Sequence, residues 1–319
     1  MNCFGRVMNV FDLDLPKEDL LNLANHVFKF KDEITPEAIS HLMLGFYRFK
    51  YETPLFHDQL QETLKKYATL YINYTNIDQL FRIASALSLS NEKDLALWGT
   101  IETRLLGAWE TLTIDEICNF TNAFSIVEMG SDIFWDTLNE TIVNFAQILE
   151  PKHVLIMASS FSNCGKGNEE FWRKVEPIVE KDLPEMNVDQ MISVVISYVN
   201  SETGSERLWE AVNDYIESNI NNIDMEQAAN LIIAVVNSEK IFIRVTNWTS
   251  LIEILKKNDS KLPESIRATL YEALKKNDMI SEEVESLFEA GKLPKDYRFF
   301  DAESLEKFLK YQEKTQNKK

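Results

Sequence analysis

The sequence predicts an all-α protein, a right-handed α-solenoid (α-α superhelix) of about seven helical hairpins. Three observations carry this reading. Trp98, Trp135, Trp172 and Trp209 stand 37, 37 and 37 residues apart in a chain that has only six tryptophans. Apolar residues keep helical spacing in the same register. Nine Gly and eight Pro in 319 residues are too few to punctuate a β-rich architecture.

Each unit begins at its tryptophan. Leu97-Trp98, Phe134-Trp135, Phe171-Trp172 and Leu208-Trp209 head the four best copies, residues 97–133, 134–170, 171–207 and 208–244. Ile101, Leu138, Val175 and Val212 follow three residues on, and Leu105, Ile142, Val179 and Ile216 seven on. This is the apolar stripe of helix A. Thr113, Glu150, Asn187 and Asp224 then mark the start of helix B, because three of the four residue types are good N-caps. Helix B carries a column of small residues, Ala123, Ser160, Ser197 and Ala234. Such a column places two helices in close approach, where a larger side chain would overpack the crossing. The stretches EMGSD, CGKGNEE and NSETGSE are turns to the next copy. Cys164-Gly165-Lys166-Gly167 belongs to one of these turns and lacks the preceding strand of a phosphate loop.

The repeat decays outward. Leu55-Phe56 begins an earlier unit 42 residues before Trp98, with its five extra residues placed near TLYINYTN, between helices A and B. Residues 17–50 read as a first hairpin. Trp248 follows Trp209 by 39 residues, and further helical stretches continue to residue 290. The expected organisation is an N-terminal extension over 1–16, a solenoid over 17–290 and a docking segment and tail over 291–319. In that last segment Tyr297, Phe299 and Phe300 precede a short amphipathic helix.

Chemistry of the catalytic kind is not expected. The four histidines, His26, His41, His57 and His153, form no metal-binding or triad spacing, and no CxxC, HExxH or GxSxG is present. Catalytic, cofactor and metal sites are therefore all expected to be none. The three cysteines are unpaired in pattern, and Cys118 and Cys164 read as small buried residues, as in a reducing compartment. No apolar run is long enough to span a membrane.

The formal charge is −18, and the four best repeats contribute −5, −3, −3 and −4. An acidic surface repels a phosphate backbone and an anionic leaflet alike. Protein partners, as other subunits of a large complex, are expected in preference to nucleic acid, a small-molecule substrate or a membrane. The candidate partner surface is the set of polar columns on helix B, Glu116, His153, Gln190 and Gln227 together with Asn119, Ser193 and Asn230, and the aromatic trio Tyr297, Phe299 and Phe300. A cytoplasmic location, cytoskeletal or ciliary, is expected, with a mitochondrial one as the alternative.

A 37-residue two-helix unit headed by [LF]W resembles the heptatricopeptide and octotricopeptide class, related to the FAST-kinase-like repeats of organellar proteins. The resemblance covers residues 97–244. It implies an α-solenoid, and it implies as an alternative function RNA binding in organellar RNA processing or translation. RNA-acting members of that class often end in a RAP-type domain of mixed strand and helix, and no such segment is read after residue 290.

Overall fold

The computed structural model describes residues 22, 25–27, 29–30, 33–48, 54–238 and 243–258. Its helices are α1 (Pro36–Arg48), α2 (Pro54–Tyr71), α3 (Ile77–Leu89), α4 (Leu95–Ala108), α5 (Ile114–Ile126) and α6 (Asp132–Phe145). They continue with α7 (Pro151–Asn163), α8 (Glu169–Asp182), α9 (Val188–Asn200), α10 (Glu206–Asn219), α11 (Met225–Asn237) and α12 (Val245–Asn258). Among the described residues there is no strand, and no helix is long and apolar enough to cross a membrane. The expected segments 1–16 and 291–319 lie outside the described residues, as do Cys3 and the helical stretches read beyond residue 258.

The 37-residue period has a simple composition. From α4 to α11 a 14-residue helix A alternates with a 13-residue helix B, and each connection is five residues long. The connection from A to B always opens with a 3-10 turn, at Ile72–Tyr74, Trp109–Thr111, Ala146–Ile148, Leu183–Glu185 and Ile220–Asn222, again 37 residues apart.

This spacing corrects the reading of the earlier unit. The register already holds at Ile72, so nothing is inserted between helices A and B. The additional length lies at the start of α2, which has 18 residues where the other A helices have 14. Gln61, not Phe56, takes the tryptophan position, and the buried Leu64 and Ala68 stand where Ile101 and Leu105 stand in the next copy. The 39-residue step to Trp248 has a different origin: seven residues separate α11 from α12 where five separate the other pairs.

The chain divides into two compact units, Met1–Thr141 and Ile142–Lys319. In the first, α3 packs against α1 and α5. In the second, α9 packs between α7 and α11, and α8 lies against α7. Apart from α8 with α7, these are contacts of one B helix with the next, with Cα atoms within 8 Å. The small column sits on those helices. Ala86, Ala123, Ser160, Ser197 and Ala234 are all buried, and a short side chain there lets backbones approach.

The tryptophans are core. Trp98, Trp135, Trp172, Trp209 and Trp248 are 1%, 2%, 3%, 7% and 0% exposed. Each of the first four sits against the turn that precedes its helix. Those turns are Schellman motifs closed by 6→1 hydrogen bonds. Glu92 N donates to Leu87 O at 2.9 Å, Met129 N to Phe124 O at 2.9 Å, Lys166 N to Phe161 O at 2.8 Å and Thr203 N to Tyr198 O at 3.1 Å. The left-handed residue of each is Asn91, Glu128, Gly165 or Glu202. The indole N–H then reaches back into the turn: Trp98 Nε1 donates to Glu92 O at 2.7 Å and Trp135 Nε1 to Met129 O at 3.2 Å. Gly165 thus has the same role as Asn91, Glu128 and Glu202, which agrees with reading Cys164–Gly167 as a turn. Cys118 is buried as expected, but Cys164 is the half-buried C-cap of α7 and not an interior helix residue.

The turn also explains three glycines. Gly130, Gly167 and Gly204 have φ of +105°, +91° and +98°. A Cβ at Gly130 would stand 2.8 Å from Trp135 Nε1 and 2.9 Å from Phe134. Replacing Gly130 with Ala therefore combines an unfavourable backbone with a clash, and costs about 1–3 kcal/mol. Gly99, by contrast, lies in the middle of α4 with nothing within 4 Å of its would-be Cβ. Gly99→Ala gains about 0.5–1 kcal/mol from helix propensity. Urea unfolding of both variants checks the pair, and equal effects would contradict the turn assignment.

Candidate functional site

The polar columns of helix B were the sequence-derived candidates, and each starts at the N-cap. A helix leaves its first amides without partners, so a side chain at the N-cap and another at N3 satisfy them reciprocally. Asn76 and Gln79, Thr113 and Glu116, Glu150 and His153, Asn187 and Gln190, and Asp224 and Gln227 occupy these positions on α3, α5, α7, α9 and α11. Asn187 N donates to Gln190 Oε1 at 2.9 Å, and Gln190 N returns to Asn187 Oδ1 at 2.9 Å. Asp224 and Gln227 repeat this at 3.0 and 2.9 Å. Glu150 N donates to His153 Nδ1 at 3.0 Å, and His153 is buried.

The expectation that Glu116, His153, Gln190 and Gln227 stand exposed is corrected for His153, which is buried; the other three are half-buried. They recur as polar residues because every helix B needs its first turn closed. Glu116, Gln190 and Gln227 are half-buried and turned toward their own N-caps. Gln227 Nε2 also donates to Asp189 Oδ1 at 2.8 Å, which ties the start of α11 to the start of α9.

One turn further along, Asn119 and Ser193 are exposed and Asn230 is half-buried. Ser193 Oγ donates to Asp189 O of its own helix at 2.9 Å. Asn119 belongs to the first unit, and Ser193 and Asn230 to the second. Tyr297, Phe299 and Phe300 lie outside the described residues.

The structure adds a polar column that sequence reasoning missed. Four residues after the tryptophan position come Lys65, Glu102, Glu176 and Asn213, facing the start of the next helix A. Lys65 Nζ lies 3.1 Å from both Glu92 and Asp94. Glu102 accepts from Ser131 N at 2.9 Å, Glu176 from Ser205 N at 3.1 Å, and Asn213 Oδ1 from Arg244 N at 2.8 Å. The residue type changes with its target: a cation meets the carboxylate of Asp94, and an acceptor meets a bare amide. The Leu97 amide, aided by Lys65, holds the Asp94 carboxyl below the ordinary carboxylate range. A similar tie works at the other end of helix A. Arg104 donates to Thr75 O at 2.6 Å, and Tyr215 Oη to Met186 O at 2.7 Å. Trp109, outside the tryptophan column, is half-buried and donates to Thr141 Oγ1 at 2.9 Å.

Within the second unit a groove of about 950 Å³ opens between α8 and α10, lined among others by Trp172, Arg173, Glu176, Pro177, Glu180 and Arg207. Pro177 in the middle of α8 has no amide, so the Arg173 carbonyl lacks its helical donor on that side. Arg207 Nε pairs with Glu180 across the groove at 2.9 Å. Beneath it Tyr198 is buried, and burial next to Glu176 and Glu180 pushes its hydroxyl pKa up. A groove of paired opposite charges displays hydrogen-bonding groups, and such groups hold a partner by complementarity.

No known family model matches the chain, and no curated protein matches its sequence.

The capping assignment is testable by a double-mutant cycle. Asn187→Ala and Gln190→Ala should each cost about 0.5–2 kcal/mol, and the double variant should lose less than their sum, because the two side chains serve the same turn. A Gln190→Ala chain as stable as the parent in chemical denaturation would show that Gln190 is not a cap.

Proposed function

We propose that the chain is a non-catalytic scaffold: a right-handed α-solenoid of about seven hairpins that serves as a structural subunit and binds protein partners in a large assembly, cytoskeletal, ciliary or mitochondrial. The observation that carries this reading is the use made of the repeated polar residues. They close helix starts and join one hairpin to the next, so what recurs in the sequence is architecture. Asn119 of the first unit and Ser193 and Asn230 of the second, on an acidic background, are then positions for recognition.

The resemblance of the 37-residue unit to heptatricopeptide and octotricopeptide repeats supports the solenoid. The net negative charge of every copy in residues 97–244 favours proteins over RNA, whose binding needs Lys or Arg on one face for each phosphate contacted.

Affinity purification of the full chain with mass spectrometry, in parallel with an Asn119→Arg/Ser193→Arg/Asn230→Arg variant, tests the reading. The variant should melt with the parent and lose co-purifying proteins. RNA retained by the parent in filter binding at both low and high salt would overturn it. So would an enzymatic activity abolished by one polar substitution without unfolding.

A further inference from the structure

The first unit carries an apolar edge that its own packing does not use. Leu89 at the end of α3 is 51% exposed, and Ile126, at the same position of α5, is 47% exposed. Across the following turns, Leu95 in the first turn of α4 and Ile133 in the first turn of α6 are 79% and 68% exposed. The two turns are neighbours, since Lys93 of one pairs with Glu128 of the other at 3.1 Å. Leu89 and Leu95 thus flank one of these turns, and Ile126 and Ile133 flank the other. In the second unit the corresponding positions are polar: Asn163 and Asn200 end the B helices, and Glu169, Glu170, Glu206 and Arg207 open the A helices. The fold evidently tolerates polar residues there. Exposed apolar side chains gathered on one edge mark a binding surface.

Charge and spacing identify the occupant. Residues 54–141 hold five Lys and Arg against 13 Asp and Glu. Four of the five cations are already engaged: Lys65 with Glu92 and Asp94, Arg82 with Asp78, Lys93 with Glu128, and Arg104 with the backbone of residues 72 and 75. A second copy of so acidic a surface, an anionic bilayer and a nucleic acid are all repelled. A cationic partner is drawn in. Packed neighbouring helices lie about 8–10 Å apart, and Leu89 and Ile126 end two helices that pack side by side. In an α-helix, residues i and i+7 share a face about 10.5 Å apart. In a strand, same-face residues recur at about 7 and 13 Å, so the helical spacing is the nearer match.

We propose that this edge docks a basic amphipathic helix of a partner protein, with aliphatic residues at i and i+7 over the two turns and Lys or Arg at its flanks. The proposal rests on the scaffold reading and gives it a partner class.

The probe is a fluorescein-labelled 18-residue peptide with Leu at i, i+3, i+7 and i+10 and Lys at most other positions. Its binding to the full chain is followed by anisotropy, against a shuffled peptide of the same composition. The first variant is Leu95→Glu/Ile133→Glu and the second Leu89→Asn/Ile126→Asn, both taken from the residues of the second unit. The parent should bind the patterned peptide at least about tenfold more tightly than the shuffled one, and either variant should lose about tenfold while melting with the parent. Equal affinity for both peptides, or unchanged binding by both variants, overturns the proposal. So does a parent dimer that the variants dissociate, or attachment to phosphatidylserine vesicles lost in the variants, since either names a different occupant. A chain that ignores the peptide yet still recovers proteins through Asn119, Ser193 and Asn230 sinks this edge and leaves the scaffold reading standing.

Discussion

The arrangement of this chain depends on a buried indole seated on a left-handed turn. A Schellman turn ends each helix B from α3 to α9 with one residue at positive φ, and the next helix begins after a five-residue connection. The tryptophan in that helix fills the hollow of the turn. In the two copies where Trp98 and Trp135 donate to Glu92 O and Met129 O, the same side chain also satisfies a carbonyl that the turn leaves over. A large apolar body with a single donor at its rim suits such a place, because burial supplies the energy and the N–H fixes the orientation. The entry angles of α4, α6, α8 and α10 follow from this contact. It also explains why glycine recurs before Trp135, Trp172 and Trp209, where a Cβ would meet the ring at 2.8–3.0 Å.

Aromatic packing extends the same constraint within each unit. Trp98 meets Phe124 edge-on with centroids 4.7 Å apart, and Phe124 stacks on Phe134 at 4.4 Å. Trp172 meets Tyr198 in the same edge-on manner at 5.0 Å. Within each unit, consecutive hairpins are thereby joined through an apolar seam. The polar ties of Lys65, Glu102, Glu176 and Asn213 at one end of helix A, and of Arg104 and Tyr215 at the other, hold register along that seam. Surface ion pairs add little stability singly, but an acceptor aimed at a bare N-terminal amide satisfies a group the helix cannot. These contacts define geometry more than they add energy.

Much of this was legible in the sequence because buried positions tolerate few residue types. The tryptophans, the small column of Ala123, Ser160, Ser197 and Ala234, and the N-caps Thr113, Asn187 and Asp224 all kept type and spacing, and all lie where the periodicity put them. What was not legible had a physical reason. Glu116, His153, Gln190 and Gln227 share a capping role, but polarity alone does not distinguish a cap from an open surface. Lys65, Glu102 and Asn213 share a position but no residue type, because Lys65 answers carboxylates and the other two answer a backbone amide. The extra residues of α2 went to the wrong end of the helix because Leu55-Phe56 imitates the motif that Gln61 has lost. The apolar edge of Leu89, Leu95, Ile126 and Ile133 was hidden for another reason: an exposed leucine and a buried one look alike in a helical pattern.

The measurement that bears most directly on the seated indole is iodide quenching of tryptophan emission in the Trp109→Phe chain. That substitution removes the half-buried indole and leaves five that are at most 7% exposed. The native protein should be quenched several-fold less than the same chain in denaturant, with all five indoles sheltered together. Quenching as efficient as in the unfolded chain would place the tryptophans in water and contradict the account.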